Sequence, residues 1–70
     1  MDCVASQAAI YVHAIAMLQE RAAAVAGVLA QRPTDRSMLD EQAGLRRSLR
    51  LFHARLRRTE EAAEAVAARR

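Results

Sequence analysis

The chain has 70 residues, a net charge of +3, seventeen alanines, eleven arginines and no lysine, and one cysteine, Cys3. This length allows one domain at most and sits near the lower limit for burying a self-sufficient core. A lone thiol excludes a disulfide scaffold and fits a reducing compartment, such as bacterial cytoplasm, better than secretion.

In chain order, the first element is a helix expected over about residues 4–31, with Asp2 or Ser6 as its N-cap. Val4, Ala8, Tyr11, Ile15, Leu18, Ala22, Val25 and Leu29 recur at steps of four and three, the spacing of a heptad seam. Ala8 to Leu18 is mostly apolar but contains His13, is too short for a bilayer, and runs on into Gln19, Glu20 and Arg21. With Asp2 and no basic start before the apolar run, a signal peptide is not expected. The chain reads as soluble and cytoplasmic, with no membrane span.

Pro33 then pushes Arg32 out of helical geometry, and a turn is expected over 32–36. The second helix is expected over about residues 37–68, with Ser37 and Asp40 at capping-box spacing and Asp40 and Glu41 in the first turn, where the helix dipole favours acids. Arg69 and Arg70 suit its C-terminal end. Met38, Gln42, Leu45, Leu49, Phe52, Leu56, Thr59, Ala63 and Val66 form a second series at steps of four and three. Gly27 and Gly44 each cost about 1 kcal/mol relative to alanine in a helix interior. They read as tolerated flexibility beside the turn rather than as close backbone approach.

Folding at Pro33 pairs positions whose numbers sum to about 67. That sets Leu29 against Leu39, Ala22 against Leu45, Leu18 against Leu49, Ile15 against Phe52, Tyr11 against Leu56 and Val4 against Ala63. Small residues meet large ones in several layers, as interdigitated packing requires. The expected fold is all-α: one antiparallel two-helix hairpin over 1–70, coiled-coil-like and completed by a partner chain or a second copy. Its core residues are Tyr11, Ile15, Leu18, Val25, Leu29, Leu39, Leu45, Leu49, Phe52 and Leu56.

The first helix is apolar on more sides than a hairpin uses. Ile10, Met17, Ala24 and Val28 form a line away from the seam, and Ala9, Ala16, Ala23 and Ala30 form another at seven-residue spacing. One helix cannot cover all of this, so Ile10, Met17, Ala24 and Val28 are the expected partner-binding residues. Association of two copies into a four-helix bundle would meet the same need.

The second helix carries the charge. Residues 46–58 hold six arginines and no acid, a local +6, against −2 for residues 1–45 and −1 for residues 59–70. Arg46, Arg50 and Arg57 share a face with His53, suited to an acidic protein surface or to nucleic-acid phosphates. Nucleic acid is the weaker fit, because Tyr11 and Phe52 are the only aromatics and both belong to the seam, leaving no stacking platform.

Catalysis is not expected. The two histidines and one cysteine reach no ligand count of three, and there is neither a glycine-rich phosphate loop nor a nucleophile elbow. Asp40 with Glu41, and Glu60 with Glu61, are sequence neighbours that do not face each other on a helix. No cofactor or metal is implied.

The stretches Leu18-Gln19-Glu20-Arg21 through Leu29-Ala30-Gln31-Arg32 and Leu39-Asp40-Glu41-Gln42 through Leu49-Arg50-Leu51-Phe52 resemble the two helices of the small co-chaperones of bacterial type III secretion needle proteins. The resemblance implies a hairpin that pairs with a larger helical-repeat chaperone to hold an aggregation-prone needle subunit before export. It covers about half the chain and rests on pattern and length. The arginine density of the second helix departs from it.

Overall fold

A computed structural model describes the backbone of residues 3–69 and the side chains of residues 6–69. The chain forms two helices, α1 (Cys3–Gln31) and α2 (Arg36–Ala68), which pack as a hairpin. The rod measures 54 × 16 × 13 Å, close to the roughly 50 Å expected for a single helix of α2's length. Its radius of gyration is 16.1 Å, where a compact chain of this length would have about 11 Å.

The turn follows from Pro33. The Arg32 amide donates to the Val28 carbonyl at 2.9 Å and closes the last turn of α1, and the Asp35 amide donates to the Arg32 carbonyl at 3.1 Å. Asp35 is the N-cap of α2, with extended backbone and a carboxylate oxygen that accepts from the Met38 amide at 3.2 Å. This corrects the sequence reading, which placed the cap at Ser37. Asp35 follows Pro33 closely enough to start the helix at once. Ser37 therefore lies inside the first turn, and Asp40 lies in the second, within 3.6 Å of Arg36. The expected caps at Asp2, together with Cys3, Val4 and Arg70 side chains, lie outside the described residues.

The two heptad faces are where the sequence put them from Ala8 to Leu29 and from Met38 to Thr59. Along α1, Ile15 is 7% exposed and Val25 is completely buried, and Ala8, Tyr11, Leu18, Ala22 and Leu29 are half-buried. Along α2, Met38, Gln42, Leu45, Leu49, Phe52, Leu56 and Thr59 are half-buried.

Leu39 departs from the expected core, since it is 36% exposed. It directly follows Met38, about 100° further round the helix, and Met38 takes the seam position instead.

The layer assignment differs from the expected one by about a turn. Tyr11 packs on Phe52, ring centroids 6.0 Å apart at 48°, where Leu56 was the expected neighbour. Arg21 meets Glu41. These positions sum to 63 and 62. An offset of four or five residues is close to one helical turn, so it preserves both faces while changing the partners along them. The same offset explains the far end of α2. All residues from Glu60 to Arg69 are exposed, Ala63 and Val66 included, because α2 outruns α1 there.

Candidate functional site

The hairpin uses only one stripe of α1. Of the expected partner-binding residues, Ile10 is 64% exposed, Met17 is 54% exposed and Ala24 is exposed. Val28 departs from the group and is half-buried. It follows the buried Val25 by three positions, about 60° round the helix, and so lies on the flank of the seam. Val12, not among the expected partner residues, is also 54% exposed. The alanine line itself, Ala9, Ala16, Ala23 and Ala30, is exposed throughout.

This surface is almost free of charge. Glu20 and Arg21 are the only charged residues of α1. Arg21 turns toward α2, where its guanidinium forms a two-pronged ion pair with Glu41, the Nη2–Oε1 contact being 2.7 Å. That hydrogen bond, with the attraction of the opposite charge, holds the Glu41 carboxyl below its ordinary range and raises the Arg21 guanidinium above its own. Both groups remain open to water, so the pair fixes register more than it adds stability. Glu41, expected to serve the helix dipole, thus acts across the hairpin. The detectable signal was two opposite charges flanking facing seams.

The apolar stretch of α1 is also longer than the eleven residues weighed in the sequence. Ser6–Gln31, 26 residues, is long and apolar enough to cross a bilayer by length and composition, and little of it is buried in the hairpin. As packed in the hairpin, α1 lies beside α2, which has twelve charged residues between Arg36 and Ala68, so α1 would have to part from α2 to keep those charges out of hydrocarbon. Core helices of water-soluble proteins meet the same criterion when their outer face is covered.

The arginine face of α2 is separate from this surface. Arg46, Arg47, Arg50, Arg55, Arg57 and Arg58 are all exposed, and none forms an ion pair among the described residues. Arg55 lies 5.9 Å over the Phe52 ring, a cation–π contact that turns one of the six back onto the seam. His13 and His53 are both exposed, and among the described residues no three histidine, cysteine or acidic side chains come together as a metal site.

Comparisons with protein families, with curated proteins and with solved structures find no match to this chain.

Proposed function

We propose that the chain is a non-catalytic interaction module, an adaptor or co-chaperone that holds a helical protein partner against the outer face of α1. The observation that carries this reading is the exposure of Ile10, Val12 and Met17 along a helix whose other apolar stripe already forms the hairpin. A chain that displays this much uncharged helix gains from a partner that removes it from water. Small alanines beside the larger anchors permit close approach by another helix. The resemblance to type III secretion co-chaperones gives the same role a concrete form. There the partner is a helical-repeat chaperone, and the cargo is an export-bound needle subunit.

The test is purification of the tagged chain from its own cell beside a Met17→Arg variant. A helical protein should co-purify with the wild type and be lost from the variant, with equal helix content by circular dichroism. Equal recovery from both would count against docking through α1. Co-purification of secretion components would support the needle-chaperone form.

A second reading rests on the six exposed arginines of α2, five of them without even an aromatic contact. They supply a cationic strip for an acidic protein surface or for nucleic acid. Binding through it should weaken steeply with added salt and vanish when Arg46, Arg50 and Arg57 are changed to glutamate. Retention of binding by that triple variant would remove the strip from consideration.

A further inference from the structure

The outer side of α1 carries a second heptad line. Ser6, Ala9, His13, Ala16, Glu20, Ala23 and Gly27 follow one another at steps of three and four, opposite the Tyr11 to Leu29 seam, and all seven are exposed. Five of the seven are Ser, Ala or Gly. A Cβ added at Gly27 would meet nothing within 4 Å, so no contact inside the hairpin requires glycine there. The remaining two, His13 and Glu20, are the polar exceptions, and Glu20 has no ion pair among the described residues.

This line is complementary to itself when reversed. Two copies of α1 laid antiparallel, with facing positions summing to 33, set His13 of one copy against Glu20 of the other, twice by symmetry. The same register sets Ala9 against Ala24 and Ser6 against Gly27, so small residues line the contact and its histidine meets its carboxylate. A closed two-fold interface requires that kind of self-matching.

The areas agree. The chain exposes 5466 Å², whereas a compact monomer of its 7.7 kDa would expose about 4,300 Å². Covering that excess of about 1,200 Å² on each of two copies would bury about 2,300 Å², and obligate homodimers bury about 2,000–5,000 Å².

We infer, building on the docking role of α1, that the occupant of its outer face is a second copy of this chain. The product is a row of four helices, with the two α1 helices antiparallel at its centre and each α2 on the outside. The arginines of both α2 helices then stay in water, and the nearly uncharged α1 surface leaves it.

Sedimentation equilibrium across a dilution series tests this. The wild type should give twice the 7.7 kDa chain mass and dissociate on dilution. Ala16→Glu and Ala23→Glu, at positions open in the single hairpin, should give helical monomers. His13→Glu and Glu20→His should each weaken association about tenfold, since each breaks two symmetry-related pairs. The double variant H13E/E20H should recover most of that loss. A helical wild type of single-chain mass at every concentration overturns self-association. So does a doubled mass that ignores the substitutions at Ala16 and Ala23, or a single-chain species that binds phosphatidylcholine vesicles. A single-chain wild type that still captures a helical protein lost on Met17→Arg ends the self-association and leaves the proposed function standing.

Discussion

The two helices solve opposite problems with the same spacing. α1 carries two charged residues, α2 carries twelve, and each contributes one heptad face to the hairpin. Yet among the described residues the two buried side chains, Ile15 and Val25, both belong to α1, and α2 has none. The longer α2 side chains Leu45, Leu49, Phe52 and Leu56 reach toward α1 and stay half-open to water themselves. Composition therefore does not set burial here. The face that meets a neighbour does, and α1 has apolar residues left over after that face is used. α2 carries the charge, and α1 leaves uncharged apolar side chains exposed.

Substitutions can break this contrast, beginning with the core. Ile15→Ala should cost about 2–4 kcal/mol, from lost transfer energy and the gap left behind, and urea titration should show most of the helix content lost at lower denaturant. The same truncation at Ile10 removes an equal amount of hydrocarbon from an exposed site. In a demonstrably monomeric sample it should cost under 0.5 kcal/mol. Comparable losses at both sites would mean that the outer face is already packed.

Capping comes next. Asp35→Ala should lower stability by about 1 kcal/mol, and Ser37→Ala by much less, because the Met38 amide is bonded to Asp35. Equal effects would return the cap to Ser37.

Gly27→Ala sharpens the comparison by its sign. With nothing near the added methyl, alanine should raise the stability of a monomer by just under 1 kcal/mol. Where a second helix lies on the outer face, the methyl should instead weaken association, seen as a loss of concentration-dependent melting.

The smallest effect belongs to Arg21 and Glu41. The Glu41 carboxyl titrates below its ordinary range in the folded chain. Its contribution is therefore present above the unfolded carboxyl's range and disappears as pH falls through the folded one. Glu41→Gln should lower the melting temperature slightly at neutral pH, remove that part of the acid dependence, and lose its effect in high salt.

The hairpin and both seam faces were legible in the sequence, because periodicity alone places residues on a face. Ile15 and Val25 sit at seam positions, and Pro33 marks the turn. Register was harder. Layers were counted from Pro33 alone, and the turn and the periodicity fix the faces without fixing how far one helix slides along the other. The Tyr11 and Phe52 rings instead meet about a turn from the expected pairing, and the Arg21–Glu41 pair agrees with them. The cap was missed because the Ser37–Asp40 spacing resembled a capping box, although Asp35 alone satisfies the amide in question. Val28 was misplaced because a step of four was added to the seven-residue line Ile10, Met17, Ala24 without noting how near Val25 stood. The exposed face at Ile10, Met17 and Ala24 was legible as surplus. What covers it depends on a second molecule, which one chain's periodicity does not specify.

The four-residue connection Arg32–Asp35 joins α1 and α2 at one pole only. Every contact farther from it closes a longer loop, so contacts near Pro33 form with the least entropy loss and those at Tyr11 and Phe52 with more. The hairpin should close like a zipper from its capped turn, within the microsecond-to-millisecond range of locally wired helical proteins. Amide exchange should be slowest between Val25 and Leu45 and quicken steadily toward the open pole.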